Sequence, residues 1–154
     1  MAISAKDVQR LRKETGAGVM ECKRALEETG GDLEKAKSLL NERGLAKAQK
    51  NIDREAKEGV VEAYVHADRR IAAMVELSSE TDFVALHPEF LELAKEIAMQ
   101  VAAMDPKNVD ELLGQAYIRD ASKTVGELVT RLAATTGENV RVRRFTRFLL
   151  GEAA

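Results

Sequence analysis

A chain of 154 residues can bury a core as one domain or as two small ones, and its 45% hydrophobic and 32% charged residues are ordinary for a soluble globular protein. No apolar run approaches the roughly 18–20 residues of a membrane span, Met1-Ala2-Ile3-Ser4-Ala5-Lys6 does not read as a signal peptide, and the single cysteine, Cys22, excludes an internal disulfide and fits a reducing, cytoplasmic compartment. The net charge of −2 hides an acidic middle (residues 58–137, 7 Lys+Arg against 14 Asp+Glu) between mildly basic ends, which, with no Trp and two Tyr, argues against direct nucleic-acid binding.

Ser4-Ala5-Lys6-Asp7 opens the first predicted helix as a capping box with Asp7 in place of Glu, and Thr15-Gly16-Ala17-Gly18 stops it. Val8 and Leu11 are its apolar face. A second helix carries Val19, Cys22, Ala25 and Leu26 on one side, and Gly30-Gly31 breaks it. Asp32 caps a third, striped by Leu33, Ala36, Leu39 and Leu40, with Gly44 expected as the residue that ends it. Residues 1–44 thus form a three-helix bundle whose loop from Gly16 to Met20 holds Val19 and Met20 near the surface, as core residues or as contacts for a partner. Residues 45–57, rich in Ala and Lys without an apolar stripe, read as a solvated helical linker.

The period changes at Gly59, opening a domain over 58–154. Val61, Ala63 and Val65 alternate with Glu62, Tyr64 and His66, and Ile71, Ala73, Val75 and Leu77 alternate with Ala72, Met74 and Glu76. Joined through Ala67-Asp68-Arg69-Arg70, these runs predict two antiparallel strands with one face buried. Glu80-Thr81-Asp82-Phe83-Val84 follows, where Thr81 and Asp82 are helix-starting residues. Phe83, one of four Phe, must fold back into the core or reach for a partner. Bracing by the hairpin and by the next helix favours the outward direction.

That helix starts near Pro88 and shows the strongest stripe of the chain, Phe90, Ala94, Ile97, Val101 and Met104, before Asp105-Pro106 ends it. Residues 107–121 read as one short helix. Thr124-Val125-Gly126-Glu127 is a further capping box, with Val125, Leu128, Leu132 and Ala133 as apolar face. After Gly137-Glu138-Asn139 comes a last strand, Val140 to Leu149, in which Val140 and Val142 have the opposite parity to Phe145 and Leu149. Either Arg143-Arg144 sits at a bulge or both faces are partly buried. The expected class is α+β: a three-helix bundle, a helical linker, and a three-stranded antiparallel sheet packed with helices.

Enzyme chemistry finds little footing. His66 and His87 lack metal-ligand partners nearby. Cys22 stands beside Lys23 and Arg24, which would lower a thiol pKa, but falls on the buried stripe. Gly16-Ala17-Gly18 lacks P-loop spacing. Glu76, Glu80 and Asp82 could bind a cation, and Met74, Met99 and Met104 read as core filler. No catalytic residue, metal ligand or cofactor is assigned.

The run from Leu11 to Leu26 (LRKETGAGVMECKRAL) closely resembles the opening of bacterial translation elongation factor Ts. Gly31-Asp32-Leu33-Glu34-Lys35-Ala36, the stretch from Glu76 through Thr81-Asp82-Phe83-Val84, and Gly137-Glu138-Asn139-Val140 with Arg143-Arg144-Phe145 continue the similarity in the family's order over nearly the whole chain. The resemblance implies a guanine-nucleotide exchange factor for the GTPase elongation factor Tu, with no bond-making chemistry of its own. It implies that the bundle is ubiquitin-associated-like and docks on the GTPase through Val19, Met20 and Lys23. It also implies that Thr81, Asp82, Phe83 and Val84 dislodge Mg²⁺ from the partner's nucleotide site, Phe83 wedging between helices. The segment at 105–123 is shorter than in the family, as in single-copy members that dimerise. Thr146 stands where some of these carry a linking cysteine, so a non-covalent homodimer through the core domain is implied. The alternatives are an adaptor in which only the bundle binds and a small metal-dependent enzyme built on Glu76, Glu80 and Asp82.

Overall fold

The computed structural model describes residues 2–153. In chain order the elements are α1 (Ala5–Thr15), α2 (Val19–Glu28), α3 (Leu33–Asn51), β1 (Glu58–Val65), β2 (Ile71–Ser79), α4 (Asp82–Ala85), α5 (Pro88–Met104), α6 (Val109–Gly114), β3 (Ala116–Tyr117), β4 (Asp120–Thr124), α7 (Val125–Thr136) and β5 (Arg141–Leu149). The class is α+β, as expected.

Local chemistry starts each helix of the bundle. The Ser4 hydroxyl accepts from the Asp7 N–H at 3.1 Å, the Glu21 carboxylate accepts from the Gly18 N–H at 3.3 Å, and the Asp32 carboxylate accepts from the Lys35 N–H at 3.0 Å. Leu11, Cys22, Ala25, Leu26, Ala36 and Leu40 form the core between the three helices. Gly44 does not end α3, contrary to the expectation; the helix continues to Asn51. The glycine serves packing instead: a Cβ there would lie 3.0 Å from the Ala134 Cβ on α7. Ala48, one turn further on, packs against the second core. The Arg131 guanidinium on α7 donates to the Glu14 carbonyl at 2.8 Å, a second tie between bundle and sheet domain.

The sheet has the order β1-β2-β5, all antiparallel. Ala73, Val75 and Leu77 face inward beneath α5, whose Phe90, Ala94, Ile97 and Val101 are buried against them. Opposite Leu77 and Ala73, β1 places Val60 and Tyr64 on this inner side, so Val61, Ala63 and Val65 point outward. A strand that is apolar on both faces does not declare which is buried; its pairing register decides. Met74 also lies outside, and Met104, at the end of α5, is exposed rather than part of the core.

The parity change in β5 is a bulge. Glu76 is opposite Arg144 and Leu77 opposite Val142, which leaves Arg143 as the extra residue and puts both Val142 and Phe145 on the inner face. Arg147 closes the other end of the sheet, donating from Nε to the Ala102 carbonyl at 3.0 Å and so satisfying the C-terminus of α5.

Residues 107–121 hold more than one helix: α6 is followed by the β3–β4 ribbon. Gln100, fully buried on α5, grips that ribbon, donating to the Ala116 carbonyl at 3.1 Å and accepting from the Ile118 N–H at 3.0 Å. Tyr117 donates to Glu96 at 2.7 Å, and burial, with this carboxylate's help, pushes its phenol up to about 12.

Gly59, the second residue of β1, has φ +142°, and a Cβ built there would lie 2.1 Å from the Leu77 carbonyl oxygen of the paired strand. Gly137 is also left-handed (φ +72°) but has nothing within 4 Å of such a Cβ. Gly137→Ala is therefore expected to cost about 1–2 kcal/mol in strain alone. Gly59→Ala should cost at least about 1 kcal/mol more, because strand backbones must part. Urea unfolding of both variants checks this; equal losses would contradict it.

Candidate functional site

The turn after β2 is fixed from several sides. Ser79, fully buried, donates from its hydroxyl to the Thr81 carbonyl at 2.8 Å. The Glu138 carboxylate, from the turn between α7 and β5, accepts from the Glu80 N–H at 3.0 Å, the Thr81 N–H at 2.9 Å and the Thr81 hydroxyl at 2.7 Å. In return the Glu80 carboxylate accepts from the Asn139 N–H at 3.2 Å. The Asn139 side chain, buried, donates to the carbonyls of Ile52 (3.2 Å) and Arg54 (2.7 Å) just past α3. Three turns from distant parts of the chain are thereby joined.

From this base Thr81 caps α4, its hydroxyl accepting from the Val84 N–H at 3.4 Å. Ala85 is buried and Val84 packs on the core, which holds the one-turn helix down. Its other side carries Phe83, 86% exposed, and Leu86, 69% exposed. Phe83 therefore points to solvent and not into the core. The turn borders an open cleft, with Phe83, Val84 and Leu93 on one side and Gln9, Arg12 and Lys13 of α1 on the other.

Val19 and Met20 open α2 and Lys23 follows them by four and three residues, one turn on, and all three are exposed, Met20 by 57%. Neither Val19 nor Met20 is core. The α2 head is pinned by Glu21, whose carboxylate accepts from Lys47 of α3 and from the Gly18 N–H. The Lys47 ammonium holds the Glu21 carboxyl below its ordinary range. The structure thus gathers Thr81–Val84 at one place and Val19, Met20 and Lys23 at another, the second group lying outside the cleft lining.

Other candidates have structural employment. Cys22 is fully buried, and burial pushes its thiol up, opposite to the lowering expected from Lys23 and Arg24. His66 pairs with the Tyr64 hydroxyl at 2.8 Å, and His87 caps α5, accepting from the Glu89 N–H at 3.3 Å. Glu76 lies 3.4 Å from Arg144, while Glu80 is turned towards Asn139 and Arg54. Among the described residues no three His, Cys, Asp or Glu side chains converge as a metal site needs.

Sequence reasoning missed Leu86 and the brace made by Glu138. Thr81 and Glu138 are 57 positions apart, and an acidic residue in a Gly-Glu-Asn turn carries no local sign of that partner. For Leu86 the signal was available: it follows Phe83 by three residues, hence on the same side of any helical turn.

Comparison with known proteins places the chain in a family. The family model described as elongation factor TS matches residues 32–111 and 80–153. Elongation factor Ts of Coprothermobacter proteolyticus is 43% identical over 197 aligned positions, spanning 99% of this chain and 100% of the relative. That of Thermodesulfovibrio yellowstonii is 40% identical over 196, spanning 99% and 98%. That of Clostridium novyi is 47% identical over 148, spanning 96% of this chain and 48% of the relative. The first two alignments exceed the 154 residues here, so those relatives carry residues without a counterpart. Matched nearly end to end by these relatives and by the family model over most of its length, the chain belongs to the elongation factor Ts family.

Proposed function

We propose that the protein is a cytoplasmic guanine-nucleotide exchange factor for elongation factor Tu in translation elongation, and that it acts by differential binding without bond chemistry of its own. Family membership supports the partner and the role. The observation that carries the mechanism is Phe83, exposed at the tip of a turn whose backbone is hydrogen-bonded to Glu138 of a second turn, which Asn139 in turn ties to a third. In this reading residues 1–44 dock on the GTPase through Val19, Met20 and Lys23, residues 45–57 connect, and residues 58–154 present the working turn.

Thr81, Asp82, Phe83 and Val84 enter the partner's nucleotide-binding domain, where Phe83 wedges between helices and the distortion dislodges Mg²⁺. That ion bridges phosphate oxygens in such sites, so its loss removes a large local charge that secures the nucleotide. Linkage supplies the rest. A factor that binds the nucleotide-free GTPase more tightly than the loaded form weakens nucleotide by the same ratio, tenfold for every ~1.4 kcal/mol. Burying one Phe supplies roughly 2–3 kcal/mol.

The chain also forms a non-covalent homodimer through the core domain in this proposal. Support comes from the outer face of the sheet, where Val65, Ala72 and Phe148 make one row and Ala63, Met74 and Thr146 the next, with Val65, Met74 and Phe148 exposed. Thr146 in the second row offers no disulfide.

Phe83→Ala is expected to fold normally and to slow GDP release from elongation factor Tu at saturating factor by roughly 30–150-fold, the worth of the buried ring. Stopped-flow release of fluorescent GDP measures this, and wild-type rates would sink the wedge. Met20→Ala combined with Lys23→Ala should instead weaken binding to the nucleotide-free GTPase by at least about tenfold, read by titration calorimetry. Unchanged affinity would remove the docking role. Sedimentation velocity should show a dimer that Phe148→Asp converts to monomer; a monomeric wild type would refute the dimer.

A further inference from the structure

We propose that Glu138 is a positioning residue for exchange, holding the turn that presents Phe83 in its working geometry. The inference rests on the exchange reading above. α4 has four residues, too few to hold itself as a helix. Its first turn depends on the Thr81 cap, and that cap depends on which way the Thr81 hydroxyl points. A hydroxyl has one proton. By donating it to Glu138 at 2.7 Å, Thr81 turns its lone pairs towards the Val84 N–H, which it meets at 3.4 Å. The other Glu138 oxygen accepts from two successive backbone N–H groups, Glu80 at 3.0 Å and Thr81 at 2.9 Å, which fixes the peptide planes leading into α4.

Glu138 is itself held. Its own N–H donates to the Thr136 hydroxyl at 3.4 Å, and the next residue, Asn139, binds Glu80 on one side and the carbonyls of Ile52 and Arg54 on the other. The carboxylate is therefore a fixed acceptor set against a segment that cannot order itself. A wedge is effective only if its direction is settled before contact, since ordering on binding subtracts from the binding energy. Phe83 stands two residues from the last backbone group that Glu138 holds.

The test uses the full chain and measures fluorescent GDP release from elongation factor Tu as a function of factor concentration. Glu138→Ala is expected to lower the maximal rate roughly tenfold, equivalent to about 1.4 kcal/mol, with half-saturation little changed because Met20 and Lys23 are untouched. Glu138→Gln keeps one oxygen for the two backbone N–H groups but sets an amide donor against the Thr81 hydroxyl, so it should recover part of the loss and fall between Glu138→Ala and wild type. In a Phe83→Ala background Glu138→Ala should add no further loss, because it acts through the ring that is gone. Circular dichroism reports that each variant is folded; should Glu138→Ala not fold, Glu138→Asp, which withdraws the oxygens by one methylene, gives the same test. With Phe83→Ala slow, three results overturn the inference: a wild-type maximal rate in Glu138→Ala, a loss in the double variant equal to the product of the single losses, or Glu138→Gln as slow as Glu138→Ala. A wild-type rate in Phe83→Ala would instead remove the wedge reading itself, and this inference with it.

Discussion

One helix covers the inner face of the sheet, and the path of the chain around it follows from that contact. Ala73, Val75 and Leu77 lie under Phe90, Ala94, Ile97 and Val101, and each large side chain so buried contributes roughly 1.5–3 kcal/mol. Because α5 must turn back over the sheet directly after β2, the chain between Ser79 and Pro88 has room for one helical turn. Such a turn laid on a core has one side to bury. Val84 and Ala85 take that side, so Phe83 and Leu86 are left in water. The exposed aromatic is a consequence of how the core closes, and the hydrophobic free energy it withholds from the fold is available to a partner.

Much of this was legible locally. Ser4, Asp32 and Thr124 cap the helices that their chemistry announced, and the stripe from Phe90 to Val101 is buried as its spacing required. The odd parity of β5 was enough to pose the alternative that the bulge at Arg143 resolves. The failures share a cause, which is that the deciding partner lies far along the chain. Gly44 has the composition of a helix stop, and only Ala134 makes it a packing residue. Val61 and Val65 look as buried as Val60 until the register with β2 is known. The β3–β4 ribbon has no apolar alternation, because what holds it is Gln100 on another element.

The candidate site divides in the same way. Val19, Met20 and Phe83 could be singled out as apolar residues at turns, and the resemblance to elongation factor Ts gave them, with Lys23, a role. What the residues could not reveal was the support beneath them. Lys47 under Glu21 and Glu138 under Thr81 are pairings between segments with no sequence relation. Both are also polar and at or near the surface, a setting in which an ion pair alone is worth little. Their value lies in direction: each fixes the first turn of a short or exposed helix.

The unbroken course of α3 has a mechanical consequence. Its 19 residues make a rod about 28 Å long that starts in the bundle and ends at the turn gripped by Asn139. A flexible tether between two contact surfaces would let the second search for its target at a local concentration set by tether length, with an entropic penalty for each added residue. A rod removes that search. In the proposed docking, the head of α2 and the Phe83 turn are two points of one caliper, so a partner seated on the first would meet the second at a set distance. Only a partner whose own surfaces match that span can engage both, which makes the gauge itself a source of specificity.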